Sequence, residues 1–232
     1  MPSLTTEAEE VAAHLESLKA GERIAWLYEK YGKRLVASSS FGLQAAVMLD
    51  LVAQHAPEVP VVFVDTGYLF PETYRYIEEL KATLEVDLRR YTPQYTAAYQ
   101  DACWPEQWKT DPQRYARINK VEPMNRALKE LGADVWISGL RRSQSSTRAD
   151  RPFAEQQGGT LKVYPILDWA DAQVAGYLYD QKLRRHPLEA EGYVTMGDWH
   201  STRKPQEGES AEATRFGGTK YECGLHDPDY QI

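Results

Sequence analysis

Residues 34–56 read RLVASSSFGLQAAVMLDLVAQHA. The apolar start predicts a short β-strand that ends in serines, and the long run after Gly42 has the spacing of a helix. Hydroxyls and backbone N–H groups at a helix N-terminus suit an anion, and the helix dipole adds to this. Ser38, Ser39, Ser40 and Gly42 are therefore candidate anion-binding residues. The alternative is an ordinary helix cap with exposed serines, and the loop is not a Walker A loop because G-x-x-x-x-G-K-[ST] is absent.

The same alternation of strand and helix continues along the chain. Strands are predicted in VPVVFVDTG (59–67), VDLRRY (86–91), ADVWISG (133–139) and LKVYPI (161–166), and helices in 22–31, 71–84, 118–131 and 170–181. This order predicts a layered α/β fold with a mainly parallel sheet. Several of the strands are apolar throughout, which is typical of a sheet covered on both faces.

Ligands of such sheets bind outside the carboxyl ends of the strands. One such end carries Asp65, Thr66 and Gly67, where an ordinary turn competes with nucleotide binding. Another begins at Gly139 and reads GLRRSQSSTRADR, a cluster of four arginines within 11 residues. Arginines bind phosphate or sulfate through charge and forked hydrogen bonds, so we favour anion binding over a solvated basic loop.

The composition limits the class of protein. The chain has 232 residues, a net charge of −7 and two cysteines. Two thiols cannot supply a four-thiolate metal or iron–sulfur site, and they do not form the dense framework of a small secreted domain. The sequence shows neither a membrane-length apolar run nor a signal-peptide pattern. We therefore expect a cytoplasmic protein without an iron–sulfur cluster or other metal.

The expected organisation is one α/β domain, residues 1–203, which begins with a helical extension at residues 1–31. Residues 204–232 are rich in glycine and polar residues, and we predict that they form a mobile C-terminal tail. This tail contains YECGLHDPDYQI (221–232), in which Cys223 lies between a carboxylate and a nearby imidazole, His226. An incidental thiol is the alternative to a nucleophile there, and Cys103 is interpreted as a packing residue.

Taken together, several motifs resemble the phosphoadenylyl-sulfate (PAPS) reductases of sulfate assimilation. They are SSSFGLQAAVML, VDTG, KVEPMNRALKELGADVWISGLRRSQS, GDWHSTRK and the terminal ECGLH, spread from Arg34 to His226. The resemblance implies an adenine-nucleotide α-hydrolase-like (Rossmann-like) three-layer fold and a homodimer. It places nucleotide-binding loops at residues 38–42 and 65–67, the nucleophile at Cys223 and His226 beside it. The positions that match the family's anion contacts are Lys120, Gly139, Arg141, Arg142, Arg203 and Arg215.

The implied reaction reduces 3′-phosphoadenylyl sulfate to sulfite and adenosine 3′,5′-bisphosphate. A Cys223 thiolate takes the sulfonyl group as S-sulfocysteine, and thioredoxin or glutaredoxin then releases sulfite. Relatives that reduce adenylyl sulfate carry extra cysteines for a [4Fe–4S] cluster, and their absence here favours the phosphorylated substrate. A cluster-free adenylyl-sulfate reductase is the first alternative. An ATP pyrophosphatase, or a nucleotide-binding redox protein without turnover, are the others, and no nucleic acid or membrane partner is expected.

Overall fold

The computed structural model describes residues 4–216 and 224–225. This part of the chain contains one six-stranded sheet in the order β3-β2-β1-β4-β6-β5. The strands are β1 Leu35–Ser38, β2 Val61–Val64, β3 Leu88–Tyr91, β4 Val135–Ile137, β5 Ala154–Gln157 and β6 Thr160–Val163. Every neighbouring pair is parallel except β5 and β6, which form an antiparallel hairpin. The predicted α/β fold with a mainly parallel sheet is confirmed.

The helices lie on both faces of this sheet. They are α1 Leu4–Glu16, α2 Ala20–Tyr31, α3 Ala45–His55, α4 Pro71–Thr83, α5 Ala97–Cys103, α6 Gln107–Thr110, α7 Pro112–Ala116, α8 Glu122–Leu131, α9 Asp171–Asp180 and α10 Pro187–Ala190. None of the helices in the described ranges combines the length and apolarity that a membrane span requires.

Alternation along the central strands divides the core into two clusters. In β4, Val135 and Ile137 belong to the larger cluster, which includes residues of α1, α2, α3, α4 and α9. Trp136, between them, points to the opposite face and packs with Met124 and Leu128 of α8. Successive side chains of a strand point to opposite faces, so a strand covered on both sides is apolar at every position. This explains the uninterrupted apolar runs and gives three layers.

A π-helical turn, Arg117–Val121, joins α7 to α8. Pro123 in α8 lacks an N–H, and its ring would collide with the carbonyl of Asn119 in a regular α-helix. The chain widens instead, and the N–H of Glu122 bonds to the carbonyl of Arg117, five residues back. Such turns shift the direction of side chains by comparison with an unbroken helix. Here the turn contains Lys120, which lines the cleft described below.

Two features differ from the sequence predictions. Strand β5 was not predicted because its residues, AEQQ, are mostly polar and only half-buried at the sheet edge. A Gly158–Gly159 turn joins it to β6, and Gly158 has φ of 59°, the left-handed conformation that such hairpin turns favour. The interpretation of Cys103 as a packing residue is wrong. Cys103 is exposed because it ends α5, a short helix on the surface.

Candidate functional site

A cleft of about 400 Å³ opens at the carboxyl ends of the central strands. Chain connections leave β1 in opposite directions, towards β2 on one side and β4 on the other, and this reversal is where open α/β sheets bind ligands. The charged side chains that line the cleft are Lys120, Arg141, Arg148, Arg215, Asp171 and Asp198. Four cations against two carboxylates make the cleft basic, although the chain carries a net charge of −7. The site therefore favours an anionic ligand.

The serine loop after β1 forms one wall, and Ser38, Ser39, Ser40 and Gly42 all line the cleft. Ser38 Oγ accepts a hydrogen bond of 2.7 Å from Trp136 Nε1, and Ser39 Oγ accepts one of 3.1 Å from the N–H of Phe41. Phe41 has φ of 50°, which costs free energy for a side chain with a Cβ. Its ring is buried against Phe63, at a centroid distance of 5.1 Å, and this packing holds the turn.

The segment after β2 divides between structure and cleft. Asp65 is buried, and its carboxylate pairs with Arg90 at 2.8 Å and accepts a hydrogen bond of 2.7 Å from Tyr74 Oη. It also accepts from the N–H of Gly67, whose φ of 78° suits glycine. Asp65 thus holds its own turn together, and only Thr66 of this motif lines the cleft.

Lys120 reaches the cleft from the π-helical turn and meets a carboxylate that the sequence analysis did not single out. Its Nζ lies 2.9 Å from Asp198, which is 1% exposed. The same carboxylate accepts hydrogen bonds of 2.5 Å from Thr66 and 3.0 Å from Tyr115. Burial by itself would raise the pKa of Asp198, but the charge of Lys120 and these hydrogen bonds lower it to about 2. The pair is therefore ionised at neutral pH.

His200 lies beside this pair and carries no charge at neutral pH. Its ring stacks on Trp108 at a centroid distance of 4.9 Å and contacts the edges of Tyr68, Tyr115 and Trp199. Burial lowers the pKa of His200 to about 4, against the opposing effect of Asp198. Both ring nitrogens are buried without a hydrogen-bond partner in the described part of the chain. His200 is thus a packed histidine.

The arginine cluster points in two directions. Arg141 is 3% exposed and lines the cleft, where it bonds to Asp171 at 2.8 Å, to Ser143 at 2.9 Å and also to Gln44. The neighbouring Arg142 instead donates to the carbonyl of Arg151, at 2.8 and 3.1 Å. A 3₁₀ turn begins at Arg142 and separates the two side chains. The sequence had grouped these arginines together, but the cleft receives Arg141 with Arg148.

Arg203 and Arg215 also separate. Arg203 is exposed and bonds to Glu209. Arg215 is buried in the cleft wall, and its Nη1 donates to the carbonyl of Met196 at 2.6 Å. Residues 204–216 pack onto the rest of the protein, because Thr202 pairs with Arg215 in an antiparallel bridge.

The predicted residues that line the cleft are Ser38, Ser39, Ser40, Gly42, Thr66, Lys120, Gly139, Arg141 and Arg215. Cys223 and His226 lie outside the described residues. Leu225, which is described, lines the cleft, packs beside the Trp136 cluster and accepts a hydrogen bond from the buried Lys162 through its carbonyl. Gln44, Asp198 and the backbone at Met196 were missed. The motif GDWH contained Asp198, but only the folded chain shows its partner.

Comparison with known proteins gives consistent results. A family model described as "Phosphoadenosine phosphosulfate reductase domain" matches residues 34–204. A phosphoadenosine 5′-phosphosulfate reductase of Cronobacter sakazakii is 49% identical over 93% of this chain and 89% of its own, and one of Salmonella typhi is 50% identical over 94% and 91%.

Solved structures extend the comparison to the fold. The phosphoadenylyl-sulfate (PAPS) reductase of Candida auris, as a phosphate complex, is 30% identical, with a TM-score of 0.76 over 87% of this chain and 98% of its own. An FMN adenylyltransferase of Candida glabrata is 13% identical, with a TM-score of 0.59 over 86% of this chain and 72% of its own. The second likeness shows the fold alone, and both agree with the predicted nucleotide-binding α/β architecture.

Proposed function

The chain belongs to the phosphoadenosine phosphosulfate reductase family, and on that basis we propose how it reduces 3′-phosphoadenylyl sulfate to sulfite in sulfate assimilation. The observation that carries the proposal is the basic cleft at the carboxyl ends of the strands, set in an acidic chain. A substrate with a phosphosulfate and a 3′-phosphate is strongly anionic. Cations buried around such a group bind it and stabilise the negative charge that develops on the leaving phosphate.

The nucleophile in this proposal is the thiolate of Cys223. Its sulfur attacks the sulfonyl sulfur, a sulfur–sulfur bond forms, and the bond from sulfur to the bridging oxygen breaks. The bonding electrons leave with adenosine 3′,5′-bisphosphate, and S-sulfocysteine remains. A thiolate of thioredoxin or glutaredoxin then attacks Cys223, and sulfite departs with the electron pair of the sulfur–sulfur bond. The partner's second thiol resolves the mixed disulfide, so two thiols become one disulfide as sulfate-level sulfur is reduced to sulfite.

The position of Leu225 supports this assignment. Leu225 lines the cleft, and its carbonyl bonds to Lys162 of β6. Two residues span at most about 7 Å between Cα atoms, so Cys223 is within chain reach of the bound anion. We propose that His226 favours the thiolate electrostatically, since cationic neighbours lower the pKa of a thiol.

The cellular context follows from the same chemistry. The two cysteines of the chain cannot ligate a [4Fe–4S] cluster, so the electrons come from a protein dithiol. A free nucleophilic thiol persists in a reducing compartment, and we therefore place the enzyme in the cytoplasm. We further propose a homodimer, and that residues 204–232 act as the mobile segment that carries Cys223 from the nucleotide to thioredoxin.

Sulfite release from both nucleotides tests the proposal. The purified protein is incubated with reduced thioredoxin and either 3′-phosphoadenylyl sulfate or adenylyl sulfate, with Cys103→Ser as the matched control for Cys223→Ser. We expect turnover of the phosphorylated nucleotide by wild type and Cys103→Ser, and none by Cys223→Ser. Preference for adenylyl sulfate would establish the cluster-free alternative. Nucleotide binding without sulfite would identify a non-catalytic protein and reject the proposed reaction.

A further inference from the structure

Arg215 is a buried cation without a matching anion among the described residues. Its side chain lies in the cleft wall with 7% exposure, and its printed hydrogen bond is to a neutral acceptor, the carbonyl of Met196. The Nε of Arg215 is buried and has no hydrogen-bond partner in the described ranges. A buried charge is costly unless it is paired. The side chain is therefore set to receive an anion from the cleft.

The place of this guanidinium depends on the absence of a side chain at Gly197. A Cβ built on Gly197 would lie 2.4 Å from Nη2, 2.6 Å from Cζ and 2.7 Å from Nη1 of Arg215. All three distances are below van der Waals contact, so the planar group lies directly on the glycine Cα. Gly197 does not have the positive φ that would itself demand glycine. Space for Arg215, and not backbone conformation, is what glycine supplies there.

The backbone on both sides of this contact is held in place. Next to Gly197, the carboxylate of Asp198 bonds to Lys120, Thr66 and Tyr115. On the other side, the bridge between Thr202 and Arg215 fixes the backbone of the arginine. An added methyl group at Gly197 therefore displaces the flexible end of Arg215 and leaves both backbones where they are.

We propose that Gly197 is a positioning residue, which acts by leaving room for the Arg215 guanidinium in the anion-binding wall of the cleft. The proposal rests on the proposed function, because the anion is taken to be part of 3′-phosphoadenylyl sulfate. It adds to that function a residue that cannot touch the substrate through a side chain and yet controls its binding.

The test is a double-mutant cycle in the Cys223→Ser background, where the substrate binds but does not react. Calorimetry measures the dissociation constant of 3′-phosphoadenylyl sulfate for Gly197→Ala, Arg215→Ala and the combined variant. We expect each single substitution to weaken binding about 10- to 100-fold, since a hydrogen-bonded contact to a charged group is lost. In the Arg215→Ala background, Gly197→Ala should change binding by less than about twofold, because the methyl group then occupies vacated space.

The matched control is Gly176→Ala, because a Cβ at Gly176 meets nothing within 4 Å, and it should bind as the parent does. If Gly197→Ala has no effect, or lowers binding equally with and without Arg215, the proposal is wrong. If Gly197→Ala alone is insoluble, the combined variant should fold, since the clash is gone. Insolubility of both would show that glycine serves the backbone instead.

A crystal structure of Gly197→Ala separates this inference from the proposed function. If the parent does not bind 3′-phosphoadenylyl sulfate, the proposed function fails, and the position of Arg215 still decides the inference. A guanidinium displaced from residue 197 supports the proposal. An unmoved guanidinium, with a shifted backbone at residue 197, overturns it.

Discussion

Replacing Asp198 by asparagine removes the buried partner of Lys120 while keeping the size of the side chain. Asp198 is 1% exposed and lies 2.9 Å from Lys120 Nζ. The substitution leaves an ammonium with 10% side-chain exposure and without its counter-ion. Removing one member of a buried ion pair is more harmful than removing both, because the remaining charge stays desolvated. We therefore expect Asp198→Asn to be less stable than the double variant Asp198→Asn/Lys120→Met.

The magnitude follows from the depressed pKa of Asp198. The carboxyl group moves from 3.8 to about 2 on folding, and each pKa unit is worth about 1.4 kcal/mol. The ionised form thus contributes roughly 2–3 kcal/mol to the free energy of unfolding. For a chain of this length that corresponds to a fall of about 5–10 °C in Tm. In the pH range between about 2 and 3.8 the unfolded state binds more protons, so this contribution is lost as the pH falls through that range.

Chemical denaturation at pH 7, and thermal melts from pH 5 to 2, measure both effects. Asp87→Asn is the matched control, because Asp87 is 40% exposed and pairs with Arg89 on the surface, where such pairs contribute about 0–1 kcal/mol. We expect Asp198→Asn to unfold more readily at pH 7 and to lose less stability than wild type on acidification. Equal stability of the two variants, with an unchanged pH profile, would refute the role given to the Asp198–Lys120 pair.

Three further predictions follow from the geometry. Arg141→Ala should raise the KM for 3′-phosphoadenylyl sulfate at least about tenfold, whereas Arg142→Ala should change it less than about threefold, because only Arg141 lines the cleft; equal KM values would contradict this. Lys162→Met should slow sulfonation of the enzyme without weakening nucleotide binding, since it removes the bond to Leu225, and stopped-flow kinetics at unchanged rate would count against it. His200→Phe should flatten the loss of stability between pH 6.5 and 4 seen in urea melts, because the folded pKa of about 4 makes protonation favour the unfolded state; a slope identical to wild type would exclude this.

The sequence predicts the sheet well because its strands carry their environment in their residues. Val61–Val64 and Val135–Ile137 are apolar on both faces, which only a covered parallel strand requires. Strand β5 is polar and half-buried at the sheet edge, so its residues carry no such pattern. The Gly158–Gly159 turn was the local signal that marks this hairpin.

The cleft was predicted in part because strand ends can be located from sequence, whereas long-range contacts cannot. Arg141 and Arg142 are adjacent and chemically identical, and only the turn between them sends one into the cleft. Asp198 meets Lys120 across the fold, by way of a π-helical turn that a helix pattern does not reveal. Gly197 shows its importance only beside Arg215, since space is not a property of one residue.

The central claim is that Cys223 carries the sulfonyl group between the nucleotide and the reducing protein. Intact-mass spectrometry after incubation with 3′-phosphoadenylyl sulfate, without thioredoxin, tests it directly. The account predicts an increase of about 80 Da, the mass of SO₃, on Cys223, as expected of a covalent nucleophile. The adduct should form in Cys103→Ser, be absent in Cys223→Ser and disappear when reduced thioredoxin is added. An adduct on Cys103, or sulfite formed by Cys223→Ser, would contradict the account.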